Sequence, residues 1–165
     1  MKYALFIVLS TFVMTAQAQP KRPVTPTAKH FWHRVETTAS PQTIWSIWTD
    51  VPNWHTWDTG LKKAELNESF TLNAKGKLIS LEDRTSKFKI VNFQEGQTYT
   101  FKTQLPLGGL YVKRYLTIKN GKTYFTHEVW FKGFTAGIFS KMLGGDFKDM
   151  LPKVMENIKR IAETN

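Results

Sequence analysis

The sequence predicts an α+β domain in which a curved antiparallel sheet of about seven strands wraps one long C-terminal helix, with two short helices after the first strand. Three observations predict it. Between Leu61 and Gly133 the apolar residues recur with a period of two, interrupted by turn residues at hairpin spacing. Within that stretch Asn120-Gly121 separates two alternating runs, the strongest short hairpin signal known. From Ala136 to Ala162 the spacing turns helical, and Phe147, Leu151, Val154, Met155, Ile158 and Ile161 fall on one face. A sheet with one apolar face must bury it, and that helix supplies the cover.

The elements follow in order. Residues 1–18 read as an export signal: Lys2, an apolar run from Ala4 to Val13, then Ala16-Gln17-Ala18 as a small-x-small cleavage site. The run falls short of the roughly 20 apolar residues that span a bilayer. Cleavage between Ala18 and Gln19 would give a periplasmic or secreted protein. Residues 19–29 carry Pro20, Pro23 and Pro26 and form a linker, and residues 30–165 form the domain. Phe31 to Ala39 can be a strand. Ser40-Pro41 then starts a helix, with Ser as the cap and Pro in the first turn. Asp50 begins a second short helix holding Pro52, Trp54 and Trp57. The strands expected next are 61–67, 74–81, 86–94, 97–105, 110–119 and 122–132. Gly144-Gly145 should break or bend the last helix before its apolar face begins.

Composition narrows the chemistry. The chain has 165 residues and no cysteine, which removes disulfides, thiolate nucleophiles and cysteine-based metal sites together. Six Trp, five Tyr and twelve Phe argue for a packed core rather than disorder. Without the signal, 22 basic residues stand against 13 acidic ones, a balance of +9. The charges are scattered, with no run of five alike, so a solvated basic surface is the plain reading. Contact with an anionic membrane surface is the functional one, and export argues against nucleic acid. No phosphate loop, zinc-protease His pair or hydrolase elbow occurs, so no cofactor or metal is expected. His30 and His33 point to opposite faces of a strand, and His55 and Asp58, which flank Trp57, read as solvated turn residues, with a small acid–base pair as the alternative. The domain is expected to act as a monomer.

The hairpin register follows from the turn. With Asn120-Gly121 as a two-residue loop, Leu116 faces Phe125, Val112 faces Val129 and Leu110 faces Phe131, all on the concave side. Lys113 meets Glu128 on the other side, an opposite-charge pair. Arg114 lies opposite His127 on the apolar side. A four-residue loop at Pro106–Gly109 adds Tyr99, Phe101 and Leu105 to that face, and a two-residue turn at Glu95-Gly96 adds Phe88, Ile90 and Asn92.

The stretch Ala39-Ser40-Pro41-Gln42-Thr43-Ile44-Trp45, with Thr49-Asp50-Val51-Pro52-Asn53-Trp54-His55-Thr56-Trp57 after it, resembles the opening of the START-like, or SRPBCC, superfamily. The resemblance is to its polyketide cyclase/dehydrase and lipid transport branch. Phe125–Gly133 and Asp146–Ala162 are similar to that branch's last strand and closing helix. The resemblance implies a helix-grip fold with an internal cavity that holds lipids, sterols or polyketides. It implies no universal catalytic residues.

The candidate ligand lining is therefore Tyr99, Phe101, Phe88, Ile90, Asn92, Leu116, Val129 and Trp54, with Arg114 and His127 as its polar points. Packing against the helix explains the apolar members equally well. Trp54 is placed at the cavity mouth. Arg114 either meets a ligand carboxylate or water, or lays its stem on apolar surface and reaches the rim. The leading function is an exported carrier of a hydrophobic or amphipathic small molecule. The alternative is a cyclase or dehydratase, with His127 as general base and Arg114 stabilising an oxyanion.

Overall fold

A computed structural model describes residues 25–164. The export segment, most of the linker and the cleavage site lie outside the described residues. Strand β1 (His30–Thr37) is followed by helix α1 (Pro41–Thr49) and a 3₁₀ turn over Val51–Thr56. Six strands come next: β2 (Leu61–Leu66), β3 (Lys75–Ser80), β4 (Thr85–Gln94), β5 (Thr98–Leu105), β6 (Gly108–Lys119) and β7 (Lys122–Gly133). Helix α2 (Ala136–Thr164) closes the fold. The strands form one antiparallel sheet in the order β1-β7-β6-β5-β4-β3-β2, so each follows its predecessor except where β1 pairs with β7. This is the helix-grip architecture expected.

Local sequence accounts for the joints. Ser40 Oγ accepts the Thr43 N–H at 3.0 Å and Pro41 occupies the first turn, which fixes the start of α1 and turns Ile44, Trp45 and Trp48 inward. Asp50 precedes the 3₁₀ turn without capping it; its carboxylate takes the Asn53 side chain instead, at 2.7 Å. Asn120 and Gly121 have φ of 52° and 73°, the doubly left-handed pair that matches strand twist. The register on either side is the expected one: Leu116 opposes Phe125, Val112 opposes Val129, and Arg114 opposes His127.

Two loops differ from expectation. Leu105 pairs with Gly108, so the β5–β6 loop is Pro106-Leu107 alone rather than Pro106–Gly109. Pro sets the first turn position and Leu107 takes φ 51° at the second, with its carbonyl accepting Phe134 N–H at 3.0 Å. The loop is two residues shorter, an even number, so Tyr99, Phe101 and Leu105 keep their face. The second difference moves side chains. The β4–β5 loop is Glu95-Gly96-Gln97 rather than the expected two-residue Glu95-Gly96, and with the β-bulge between Ile90 and Asn92 it shifts the pairing next to the turn by one residue, so Asn92 opposes Thr100 instead of Tyr99. Asn92 is therefore exposed and leaves the lining, and Phe93 takes the inward place opposite Tyr99.

Helix α2 buries Leu151, Val154, Met155 and Ile158 against the sheet, much as the spacing predicts. It runs unbroken through Gly144-Gly145, so the expected break does not occur. Gly144 serves a close approach instead: a Cβ there would lie 1.9 Å from the Ala28 carbonyl oxygen. The chain entering β1 thus crosses the helix in contact with its backbone.

Candidate functional site

Arg114 stands near the centre of the concave face and is 3% exposed. Its guanidinium carbon lies 4.5 Å from the Trp54 ring centroid, 4.7 Å from Trp57, 5.4 Å from Phe101 and 5.6 Å from Tyr99. Trp54 arrives from the 3₁₀ turn, Trp57 from the residue just after it, and the other two rings from β5, so the cation sits in an aromatic cage. Cation–π contact offsets part of the cost of burying a charge, and a guanidinium that is dry and without a carboxylate partner still carries a large residual cost.

The polar contacts around it are few. Arg114 Nη1 donates to the Tyr99 hydroxyl at 2.5 Å. Tyr99 donates onward to the Trp48 carbonyl at 3.2 Å, and Trp54 Nε1 donates to the same carbonyl at 2.9 Å. Burial pushes the Tyr99 phenol up to about 12 against the pull of Arg114, so it stays protonated. Asn157 on α2 donates to the Trp57 carbonyl at 3.1 Å and ties the helix to the cage wall.

Several buried polar atoms have no hydrogen-bond partner: Arg114 Nε, His127 Nε2, Trp48 Nε1 and Trp57 Nε1. They belong to one neighbourhood. The His127 ring lies 5.5 Å from Trp48 and 6.2 Å from Trp57, and Trp57 lies under the guanidinium. Buried groups of this kind ordinarily find a partner. His127 is 1% exposed, and burial, Arg114 and His33 together hold its pKa well below 6.5, so the imidazole is neutral.

Asp58, expected in a solvated turn, is half-buried. Its carboxylate turns inward and accepts Gly60 N–H at 3.1 Å. Burial raises its pKa above the usual range, against the lowering influence of that hydrogen bond and of Arg114. His55 is exposed, as expected, with Nδ1 2.9 Å from the Pro52 carbonyl. His30 and His33 do take opposite faces: His30 Nε2 meets Glu128 Oε1 at 2.7 Å outside, while His33 opposes His127 within. Among the described residues no cluster of His, Asp and Glu could hold a metal ion.

Of the predicted lining, Phe88, Ile90, Tyr99, Phe101 and Val129 are buried on the concave side and Leu116 is half-buried there. Trp54 is 0% exposed, deep between sheet and helix rather than at a mouth. It packs on Phe88 at 5.6 Å and Phe101 at 5.5 Å between centroids. Trp57 and Asp58 complete the site and are absent from the lining expected from the sequence, although Trp57 follows Trp54 at helical spacing.

The chain matches, over residues 28–163, the family model described as polyketide cyclase / dehydrase and lipid transport. It belongs to that family. This family member is similar in structure to norcoclaurine synthase from Thalictrum flavum in complex with dopamine and hydroxybenzaldehyde: 12% identity, TM-score 0.63, 83% of this chain and 87% of that one. It is also similar to the di-domain ARO/CYC StfQ from the steffimycin biosynthetic pathway, at 13% identity and TM-score 0.66, covering 82% of this chain and 50% of that one. A protein from Mesorhizobium loti aligns at 14% identity and TM-score 0.67, over 83% and 98%. These likenesses establish the fold. No curated protein matches the sequence significantly.

Proposed function

We propose that this family member is an exported carrier that holds an apolar or amphipathic small molecule by an anionic oxygen at Arg114. One observation supports the reading above others. Among the described residues the buried guanidinium in its aromatic cage joins no ion pair, its own Nε is unpartnered, and the ring nitrogens His127 Nε2, Trp48 Nε1 and Trp57 Nε1 of the same neighbourhood are unpartnered too. An oxygen-bearing ligand would relieve that deficit, and the aromatic walls suit a planar or lipid-like body. Membership of a family described by lipid transport and polyketide chemistry supports the ligand class. So does a structural neighbour seen with two small aromatic compounds. Export rests on Lys2, the apolar run and Ala16-Gln17-Ala18, with a cut before Gln19 and a periplasmic or secreted product.

Native mass spectrometry of protein purified from its own host tests the carrier reading. A co-purifying hydrophobic acid is expected, lost in Arg114→Leu. Recovery of ligand-free protein that no hydrophobic acid stabilises would overturn it.

The second reading is a cyclase or dehydratase. A neutral His127 facing Arg114 across the strands, with the raised Asp58 near by, supports it: a base, a cation for an enolate oxygen and a protonatable carboxyl. His127→Gln separates the two. A carrier keeps its ligand affinity and has no turnover to lose, whereas an enzyme loses about 10²–10⁴ in rate with binding intact.

A further inference from the structure

The outer face of the sheet carries an order that the linear sequence hides. Lys75 opposes Lys89, Lys89 opposes Lys102, Lys102 opposes Tyr111, Tyr111 opposes Trp130, and Trp130 opposes His30. One cross-strand row thus runs over six strands as three lysines, two aromatics and a histidine. Beside it Lys77 opposes Lys87, and Gly109 opposes Lys132 further along. Lysines set directly opposite one another repel, so this arrangement costs the fold stability. Among the described residues none of these lysines joins an ion pair; of the nearby carboxylates, Glu65 is held by Lys63 at 2.7 Å and Glu68 Oε1 accepts the Lys75 backbone N–H at 2.7 Å. Lys75, Lys77, Lys87, Lys89 and Lys102 line an open groove of about 520 Å³ with Glu65, Asn67 and Gln104.

The surroundings say what kind of anion fits. Tyr111 and Trp130 stack at 5.3 Å with an 8° tilt and remain half-exposed beside Lys102. Amphipathic rings of this kind sit at the headgroup level of a bilayer. Lys132 leads to Gly133 and then to an exposed apolar end formed by Leu107, Phe134, Ile138 and Met142, with Phe134 91% exposed. Lysines alone fit any polyanion. Lysines adjoining interfacial aromatics and an apolar tip fit a lipid surface.

We propose that this face docks on an anionic phospholipid bilayer, its lysines on the phosphates and Phe134 with its neighbours entering the boundary. The proposal rests on the carrier reading for its purpose, since a lipid-like cargo must be taken from somewhere, and on the outer face alone for its evidence.

The experiment uses the protein with whatever N-terminus its host leaves on it. Binding to vesicles of phosphatidylcholine is compared with binding to vesicles containing one third phosphatidylglycerol, as salt is raised. Anionic vesicles should bind more tightly, and the advantage should fade with salt. Each lysine near such a surface contributes about fivefold in affinity, so the Lys75→Gln/Lys89→Gln/Lys102→Gln triple should lose about a hundredfold of that advantage. Lys62→Gln/Lys122→Gln, at lysines already paired with Asp83 and Glu36, should lose little. Phe134→Ser should weaken vesicle binding and leave retention on a single-stranded oligonucleotide unchanged. Equal binding to both vesicle types would overturn the proposal. So would a triple variant that binds like the parent, or an oligonucleotide bound more tightly than the anionic vesicles. None of these outcomes bears on Arg114, so the cargo reading stands or falls separately.

Discussion

Strand β6 places two neighbouring cations on opposite sides of one sheet, and they live under different physics. Arg114 points inward, dry, with rings on several sides and one hydroxyl in hydrogen-bond reach. Lys113 points outward over the Tyr115 ring, opposite Glu128, in the same landscape as the lysine rows. Inside, a single charge acts at short range in low dielectric, where its missing partner is felt in full. Outside, each charge is weak and screened, and only number and spacing make an effect. On the readings proposed above, one face selects a molecule and the other senses a surface.

The comparison breaks most readily in the core. Trp54→Ala should cost about 3–5 kcal/mol, because the indole is wholly buried against Phe88, Phe101 and the guanidinium. Lys89→Gln on the outer face should stay within about 0.5 kcal/mol of the parent, and relief of cross-strand repulsion sets its sign as stabilising. Equilibrium urea unfolding measures both. Equal losses would erase the distinction between the faces.

The next largest effect is on binding with stability held. Arg114→Leu removes a buried charge that has no carboxylate ion pair among the described residues, and also the packing of its longer side chain against the rings, so the two effects offset and folding stability should change little. Affinity for hydrophobic acids should fall about tenfold to a hundredfold, the worth of a charge-assisted hydrogen bond. A large loss of stability would mean that the cation holds the core together and serves no ligand.

Acid sharpens the contrast. The folded-state pKa of His127 is depressed, so its contribution is present above the unfolded value of 6.5 and is lost as pH falls through the lower folded value. Asp58 runs the other way. Its folded pKa is raised above 3.8, so its contribution is complete below that value and disappears as pH climbs through the raised one. His127→Gln should therefore flatten the loss of melting temperature on acidification from pH 6.5. Asp58→Asn should gain on the parent as pH rises from about 4. Parent and variants falling in parallel would contradict the interior placement of both groups.

The smallest effects lie in α2. Gly145 has open space around its Cβ position, so Gly145→Ala should stabilise by about 0.5–1 kcal/mol through helix propensity. Gly144→Ala would set a methyl against the Ala28 carbonyl and should forfeit that gain. Thermal melts of the pair test whether the incoming chain is docked on the helix.

The sequence was most legible where a local device sets the register. Asn120-Gly121 needs left-handed backbone at both positions, so the turn locates itself and the inward placement of Arg114 and His127 follows by counting. The bulge in β4 was not legible, because Ile90, Val91 and Phe93 are apolar on both parities and alternation cannot detect a slip. Trp54 rides on a 3₁₀ segment, and Trp57 and Asp58 directly follow it, in a stretch whose direction depends on tertiary packing, so neither their depth nor the environment of the Asp58 carboxylate could be read from spacing. The lysines looked scattered because residues 75, 77, 87, 89 and 102 gather only when loop lengths align three hairpin strands. Parity alone puts them outside; register makes them a row.

The anion anchor proposed at Arg114 is tested most directly by calorimetric titration of a planar aromatic carboxylic acid and its uncharged methyl ester into the parent and Arg114→Leu. The parent should prefer the acid about tenfold to a hundredfold, and the variant should bind the two alike. Equal affinity for acid and ester in the parent, or a preference for the acid that survives in Arg114→Leu, would contradict the assignment.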